Sequence, residues 1–566
     1  MLETISSRRD LWTVRVNRLL RFGAPVALAL LFWWYQGRYG FNPTDDGFVL
    51  AQSWRLLHGE IPHLDFTSPR PLGSAILHLP ELLLPWGTLA FSRLVVAFQL
   101  IWIAIATVEM FPSLLRRSPL ERFTLVTIAF LANVGTWPLM AWHTIDGLFV
   151  GVTALWLAVR PVSLGRWRHV QWGALWLLAG FAPLVKQGFM IVPMLVVLLL
   201  VVHRRWRGFY LAPLALIPGL FYLVLTFGTP GGLLNQLYSG SGKELLNPLK
   251  ILVGTVTSVN GLLVMICAVA AVFLLRFGHG PRIANVAIAL GLVTAPILLT
   301  AHTELFGLGP SWPYLAVVCV LVLTVLLIRT LERLVMIVVV LGLGYAISLS
   351  WGVPAPSLLA GTLLVISLIV VMDEHREQSE QLGDSRIRVA IVVILAVVLA
   401  GLVLQSRSEK TYAEPPRADL TATVNDPSFA LIMMSAQSSA YIESVQMCLN
   451  QYPAGNIAVL PDGAGLYPLL EMRNPFEADW WLPAEESPDH SHRVDARIDE
   501  LNSEGDWLVL FQSYGLFALA NLPIIDVNQA SEPFAYSTED AGILADLDGV
   551  EVECGSLTGK YSAPQS

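Results

Sequence analysis

The sequence predicts a polytopic α-helical membrane protein with a small α/β domain at its C-terminal end. Of its 566 residues, 55% are hydrophobic and only 14% are charged, whereas soluble domains carry about 25% charged residues. The apolar residues also fall into long, mostly continuous runs that stop near residue 405. Such runs indicate spanning helices, because the strands of a membrane barrel alternate apolar and polar residues.

The apolar runs define thirteen candidate spans, several of them a little shorter than the roughly 20 residues that a helix needs to cross a bilayer. A further apolar segment, 72–87, is interrupted by Pro80 and Pro85, and we expect it to lie as helix near the outer interface. The thirteen spans are 22–37, 90–111, 123–140, 146–162, 171–185, 188–203, 208–227, 250–275, 283–300, 311–328, 333–351, 355–372 and 388–405.

The distribution of basic residues sets the predicted orientation. With the N-terminus inside, the inner segments before residue 406 hold 21 Arg, and the outer segments hold 7 Lys and Arg. Cytoplasmic loops are enriched in these residues. An odd number of spans then places the C-terminal part outside the cell membrane. The first apolar run extends past its only small-x-small match, Ala27-Leu28-Ala29, so we expect an uncleaved span rather than a signal peptide.

The charge divides the chain into two predicted domains, a membrane domain over 1–405 and an acidic soluble domain over 406–566. The second domain has 7 Lys and Arg against 25 Asp and Glu, a net charge of −18, and the first has a net charge of +10. So acidic a domain argues against a nucleic-acid partner. Its predicted strands are 456–460, 507–511 and 549–553, and its predicted helices are 438–449 and 494–504. An oxidising compartment would permit a disulfide between Cys448 and Cys554, and the sequence leaves this pairing open.

The outer loop over 38–89 carries the densest set of reactive side chains. Asp45 and Asp46 precede an amphipathic segment, and the polar groups that follow are His58, His63, Asp65 and Arg70. The plain alternative is an ordinary polar loop in which Asp45 caps a helix over 46–57. A carboxylate beside an arginine also suits group transfer, because a base can activate a hydroxyl while a guanidinium binds a phosphate.

The order of these residues resembles the first outer loop of GT-C glycosyltransferases, in the protein mannosyltransferase and aminoarabinose transferase branch. The matching positions are the acidic pair Asp45-Asp46, Gly59, His63 with Asp65, and Pro69-Arg70-Pro71. In that branch the second acid is usually Glu, His63 stands where Tyr is usual, and Arg70 stands near a usual Lys. The resemblance implies a GT-C-like fold and transfer of a sugar from a polyprenyl-phosphate donor. It also implies that Asp45 is the catalytic base, with Asp46 second, and that Arg70 binds the donor phosphate.

Three other outer positions extend the predicted site. Asp146 and His143 lie at the edge of the fourth predicted span. An ionised side chain there costs free energy, so its presence indicates a function. Asp146 is a catalytic candidate, or else a helix cap, and His143 is a substrate-binding candidate. Lys186 separates two apolar runs and is a second candidate for the donor phosphate. His302 and Glu304 in a later loop are further substrate-binding candidates.

The sequence therefore predicts a glycosyltransferase of the cell membrane that acts with no cofactor. Its partners would be a polyprenyl-phosphate-linked sugar, an extracytoplasmic glycan, lipid or protein acceptor, and membrane lipids. We assign no metal, although Asp45, Asp46, Asp146 and His143 are the set that would hold Mg²⁺ or Mn²⁺. The alternatives are a secondary transporter or flippase, a lipid-linked oligosaccharide polymerase or ligase, and a receptor. A transporter would place charges near the middle of the membrane, whereas here the acids cluster at outer edges.

Overall fold

The structure, a computed structural model, is mostly helical. It describes residues 16–111, 118–227, 232–236, 247–304, 315–326, 331–348, 384–512 and 543–564, apart from isolated positions in these ranges and residues 482–488. Before the C-terminal region the described helices are α1 (Ala24–Phe32), α2 (Phe48–Leu57), α3 (Gly73–His78), α4 (Thr88–Glu109), α5 (Pro119–Thr136), α6 (His143–Val159), α7 (Trp167–Val185), α8 (Ile191–Val202), α9 (Leu216–Leu225), α10 (Asn247–Thr257), α11 (Val259–Phe277), α12 (Arg282–Glu304), α13 (Leu331–Ser348) and α14 (Asp384–Glu409).

Several of these helices suit a lipid environment. Within the described ranges, three are long and apolar enough to cross a membrane, namely Thr88–Glu109, Trp206–Leu225 and Val389–Glu409. Shorter apolar helices lie over His143–Val159, Gln187–Val202, Val259–Leu275, Ala287–Pro296 and Leu334–Gly344. The expectation of a helical membrane protein is therefore confirmed. The number of thirteen spans stays a prediction, since 311–328 is described only in part and 355–372 lies outside the described residues.

Helix α4 lies at the centre of the membrane region. It packs against α1, α5 and α6, while α6 packs in turn against α7 and α8. Small residues such as Ala97 and Ala104 on α4, and Ala154 on α6, are fully buried. Small side chains let helix backbones approach closely, which favours association where no hydrophobic force acts between helices.

The segment between α2 and α4 forms short helices, as its prolines suggest. Helix α3 is followed by a 3₁₀ turn over Leu79–Leu83, and α3 contacts α2, α6 and α7. Helix α2 begins at Phe48 with Gly47 in the N-cap position. The expectation that Asp45 caps a helix starting at residue 46 is therefore wrong. The cap fails because residues 43–47 form a turn before the helix begins.

The C-terminal region, residues 411–564, is built on a four-stranded sheet. The strands are β1 (Asn456–Leu460), β2 (Gly505–Gln512), β3 (Val550–Cys554) and β4 (Leu557–Pro564), in the order β1-β2-β4-β3. Strand β2 pairs in parallel with β1 and antiparallel with β4. A parallel pair needs a crossover, and α17 (His490–Glu504) lies in that connection. Two further α-helices of this region are α15 (Ala436–Gln451) and α16 (Leu466–Leu469).

Alternate residues of β2 face two separate cores. Leu508 and Leu510 pack with α15, whereas Trp507 and Val509 pack with α17. This alternation follows from the two-residue period of a strand. The sequence predicted three of the four strands. It missed β4, whose Leu-Thr-Gly-Lys-Tyr-Ser-Ala-Pro run has a weak apolar pattern.

The open question of the cysteines is resolved, because Cys448 of α15 is bonded to Cys554 of β3. The bridge closes a loop with a sequence separation of 106 residues. Closing a loop of this size removes entropy from the unfolded chain and stabilises the fold by about 2–5 kcal/mol.

We therefore expect Cys448→Ser to lower the thermal midpoint of the C-terminal region in the purified full-length protein. Cys267→Ser is the matched control, since Cys267 of α11 is a free cysteine. Thermal unfolding followed by thiol labelling of the native and heated protein measures both variants. Equal midpoints for the two variants would contradict a stabilising bridge.

Candidate functional site

Hydrogen bonds within the segment Asn42–Asp46 order the start of the first outer loop. The Asn42 side-chain oxygen accepts the backbone N–H groups of Thr44 at 3.0 Å and Asp45 at 2.8 Å. The Asp46 carboxylate in turn accepts the backbone N–H of Asn42 at 2.8 Å. Asx turns of this kind satisfy the backbone without a helix. The turn therefore fixes Asp45 and Asp46 just ahead of α2.

Asp46 forms an ion pair that joins the loop to α4. Its carboxylate oxygen lies 2.8 Å from the Nη2 of Arg93, and both side chains are buried. Arg93 also donates to the carbonyl groups of Gly37 at 3.0 Å and Gly40 at 2.8 Å. The guanidinium thus satisfies backbone carbonyls at the end of the first span. This geometry gives Asp46 a structural role, whatever further role it has.

Asp45 has a different partner, which comes from the far end of the chain. The Tyr412 hydroxyl donates a hydrogen bond to the Asp45 carboxylate, and Asp45 is 8% exposed. Burial, followed by the negative charges of Asp45 and Asp46, raises the pKa of the Tyr412 phenol. Tyr412 therefore remains an O–H donor at physiological pH and orients one carboxylate oxygen of Asp45.

Asp146 is fully buried in the first turn of α6 and accepts three side-chain hydrogen bonds. Ser74 donates to it from α3, His78 Nε2 lies 3.0 Å away, and Gln99 Nε2 donates from α4 at 2.7 Å. These contacts join α3, α4 and α6 at one point. The buried Asp146 carboxylate therefore connects α3, the interfacial helix, to the apolar helices α4 and α6.

His78 links Asp146 to a second buried carboxylate. Its Nδ1 lies 2.6 Å from Glu81 Oε1. Burial opposes the charge on the ring, but the attraction of Asp146 and Glu81 exceeds this cost and raises the pKa of His78 to about 10. His78 is therefore a cation at neutral pH. It is held between two acids at the outer end of the predicted spans.

Cationic side chains converge beside Asp146 on the ring of His143. Arg70, Lys186 and His78 all lie close enough to act electrostatically on that ring. Lys186 Nζ donates to Thr144 Oγ1 at 3.1 Å and is 5% exposed. His143 is 1% exposed, and neither of its ring nitrogens has a hydrogen-bond partner in the part of the chain that the structure describes.

Aromatic rings connect this cationic group to the loop that holds Asp45. The Arg70 guanidinium lies 5.7 Å from the centroid of the Phe48 ring. The Phe48 ring lies 5.6 Å from His143 and 5.3 Å from Trp480 of the C-terminal region. Phe48 follows Asp45 by three positions. Cationic side chains therefore surround an imidazole whose nitrogens have no hydrogen-bond partner among the described residues, and cations of this kind form strong hydrogen bonds with phosphate.

The predicted substrate-binding residues of the first loop are occupied by local contacts. His63 Nδ1 lies 2.7 Å from Gln236 Oε1, and its Nε2 lies 2.7 Å from the Tyr222 hydroxyl. Burial lowers the pKa of His63, so the ring is neutral at pH 7. His58 is exposed, and its Nδ1 lies 2.9 Å from the carbonyl oxygen of Trp54.

The remaining substrate-binding candidates are Asp65, His302 and Glu304. Asp65 is exposed and accepts the backbone N–H of Ile61 at 2.6 Å. The side chains of His302 and Glu304, in the last turn of α12, lie outside the described residues. Among the described residues, no cluster of three or more His, Cys, Asp or Glu is arranged to hold a metal ion.

The structure adds residues to the site that sequence reasoning missed. Ser74, His78 and Gln99 surround Asp146, Arg93 pairs with Asp46, and Tyr412 binds Asp45. A histidine and an acid three positions apart at a proline-broken helix, His78 and Glu81, were the available signal for this network. Tyr412 gives no signal in sequence, because it lies 367 residues from Asp45.

No family model matches the chain, and no curated protein matches it. Among solved structures, it is similar to a crystal structure of ArnT from Cupriavidus metallidurans bound to undecaprenyl phosphate, with 14% identity and a TM-score of 0.41 over 95% of this chain and 97% of that one. It is also similar to the apo structure of the same protein, with 14% identity and a TM-score of 0.38 over 88% and 94% of the two chains. ArnT is an aminoarabinose transferase of the GT-C superfamily.

The buried position of His78 generates a prediction about stability. His78→Gln leaves Asp146 and Glu81 without their cation, so we expect it to destabilise the protein by about 3–5 kcal/mol. Because the folded pKa of His78 is raised to about 10, its contribution is fully present below the unfolded pKa of about 6.5 and is lost as the pH rises through 10. Thermal unfolding in detergent between pH 6 and 10.5 measures both effects.

His58→Gln is the control for this experiment, because His58 is exposed and surface substitutions change stability by about 0.5 kcal/mol or less. The difference in midpoint between the wild type and His78→Gln should shrink steadily toward high pH. A difference that stays constant over that pH range would show that His78 is neutral in the folded protein.

Proposed function

We propose that this protein is a GT-C-type glycosyltransferase that moves a sugar from a polyprenyl-phosphate donor to a glycan, lipid or protein acceptor outside the cytoplasm. The observation that carries the proposal is the placement of Arg70 against Phe48, which contacts His143, and of Lys186 on Thr144, the residue after His143. This cationic group lies beside the loop that holds Asp45, at the ends of apolar helices. A lipid phosphate that enters from the membrane requires positive charge at the ends of the spanning helices.

Arg70 and Lys186 are the proposed contacts of the donor phosphate. When the bond between the anomeric carbon and the phosphate oxygen breaks, the leaving polyprenyl phosphate takes the electron pair and gains negative charge. Preorganised cations stabilise that charge more in the transition state than in the ground state. A guanidinium adds a fork that matches two phosphate oxygens, whereas an ammonium acts as a point charge. The two residues therefore supply orientation and charge, respectively.

Asp45 is the proposed general base. It would take the proton of an acceptor hydroxyl while the hydroxyl oxygen attacks the anomeric carbon from the side opposite the phosphate. The configuration at that carbon inverts in such a displacement. Its neighbour Asp46 is paired with Arg93, which favours Asp45 for this role. The Tyr412 hydroxyl orients the Asp45 carboxylate through a hydrogen bond.

The C-terminal region would then lie outside the cell membrane, above the first outer loop. The excess of Arg in the predicted inner segments supports this side. The region contacts the loop through Gly465, whose backbone N–H donates to the carbonyl of Pro43 at 2.5 Å. A Cβ atom added to Gly47 would lie 1.8 Å from the Cα of Gly465. The region is therefore suited to cover the reacting groups and guide an acceptor.

We expect Asp45→Asn to lower sugar transfer at least about 100-fold, because Asn keeps the shape of Asp but cannot accept the proton. Asp419→Asn is the matched control, since Asp419 lies close to Tyr412 along the chain and is exposed. The measurement uses membranes that contain equal amounts of each protein and a panel of radiolabelled polyprenyl-phosphate sugars. Transfer by Asp45→Asn at the wild-type rate would remove Asp45 from the reaction, and a lack of transfer by the wild type from every donor would argue against the enzyme.

The contact between Tyr412 and Asp45 generates a separate expectation about rate. Tyr412→Phe removes the hydrogen bond that orients the Asp45 carboxylate, so we expect the rate of sugar transfer by equal amounts of folded protein to fall about tenfold. Tyr452→Phe is the control, because the Tyr452 hydroxyl bonds only to Gln451 among the described side chains. A rate equal to that of the wild type would contradict an orienting role for Tyr412, and a midpoint of thermal unfolding well below that of Tyr452→Phe would indicate that Tyr412 acts on folding.

A further inference from the structure

A second charged cleft lies at the opposite end of α4 from Arg93 and Asp46. It is bounded by α1, α4 and α5, and it is lined by Arg21, Glu109 and Arg122 with walls that include Ile105, Phe123 and Val126. Glu109 follows Gln99, the α4 residue that donates to Asp146 beside His143, by 10 positions, which corresponds to about 15 Å along the helix axis. The cleft is therefore distinct from the site around His143.

The hydrogen bonds in the cleft engage Glu109 with Arg21 and Trp156, while Arg122 is attracted to Glu109 electrostatically. Arg21 donates from Nε at 3.0 Å and from Nη2 at 2.8 Å to one oxygen of Glu109. The indole N–H of Trp156 donates to the other oxygen at 3.1 Å. The Nε of Arg122 is buried and has no hydrogen-bond partner among the described residues.

The cleft consequently carries an excess of positive charge. Its ionised side chains are the two arginines and one glutamate, and the charge of Arg21 acts on Arg122 repulsively. A bound anion would relieve this repulsion and supply the missing acceptor. Phosphate is the anion that matches the fork of a guanidinium best.

The apolar walls identify the kind of phosphate. Ile105, Phe123 and Val126 offer no polar atoms to a soluble ion, but they suit the glycerol and acyl portions of a lipid. The predicted orientation places this end of α4 on the side rich in Arg, and basic pockets between spanning helices on that side bind anionic headgroups. We infer that the cleft binds the phosphodiester headgroup of an anionic membrane phospholipid, with Arg122 as its principal contact.

Native mass spectrometry of the full-length protein in detergent tests this inference. The probes are dioleoyl phosphatidylglycerol, dioleoyl phosphatidylcholine and inorganic phosphate, each titrated against the wild type. We expect phosphatidylglycerol to be retained in preference to phosphatidylcholine. Arg122→Gln should lower its retention about fivefold, which is the effect of one basic residue at a membrane surface.

Two further variants keep the result interpretable. Arg166→Gln removes the same charge from a residue that does not line the cleft but lies on the same predicted side, so we expect retention to stay at the wild-type level. Glu109→Gln removes the competing negative charge while it keeps an acceptor for Arg21, so we expect retention to rise. Equal losses in Arg122→Gln and Arg166→Gln would overturn the inference, and so would displacement of the lipid by millimolar phosphate, which would indicate a site for the free ion.

Discussion

The arrangement of the first outer loop against the C-terminal region depends on the hydrogen bonds and ion pairs of the buried Arg55 guanidinium. It donates to both oxygens of Asp479, at 2.8 and 2.9 Å, and to Glu60 at 2.6 Å. Burial works against its charge, yet Asp479 and Glu60 hold the pKa of Arg55 above its usual range. Separating such a pair costs about 3–5 kcal/mol, because one charge is left buried and uncompensated. The first outer loop and the C-terminal region are thereby held as one unit.

The contact between Arg55 and Asp479 explains why the C-terminal region meets the first outer loop at Asp45 and Asp46. With Arg55 fixed on Asp479, a Cβ atom on Gly47 would collide with the backbone of Gly465, and one on Gly465 would lie 2.7 Å from the carbonyl oxygen of Pro43. Tyr412, just beyond α14, then reaches Asp45. The carboxylates of the pair are consequently divided between two partners, since Arg93 takes Asp46 and Tyr412 takes Asp45. Two adjacent acids with different partners can carry different roles, one in the fold and one in chemistry.

The sequence predicted features that depend on local pattern and missed those that depend on distant contacts. Continuous apolar runs predicted helices such as α4 and α6, because a spanning helix must satisfy its backbone within itself. The candidates Asp45, Asp146, Arg70 and Lys186 were visible as charges at the edges of apolar runs. Their partners were not visible, because Arg93 and Tyr412 become neighbours of the acidic pair only after the chain has folded. Strand β4 was missed for a related reason, since its pairing with β2 and β3 compensates for its weak apolar pattern.

Buried charges in this protein fall into two kinds, and the difference bears on where ligands bind. Asp146 accepts three hydrogen bonds and shares His78 with Glu81, so its charge is matched within the protein. Around His143 and in the Arg122 cleft, positive charge is grouped instead, beside ring or guanidinium nitrogens that have no partner among the described residues. An unmatched buried donor costs free energy unless a ligand supplies the acceptor. The group around His143 adjoins α4 near Gln99, in the middle of the helix, and the Arg122 cleft adjoins it at Glu109, its last residue, so the phosphates proposed for the two sites would lie at two different depths.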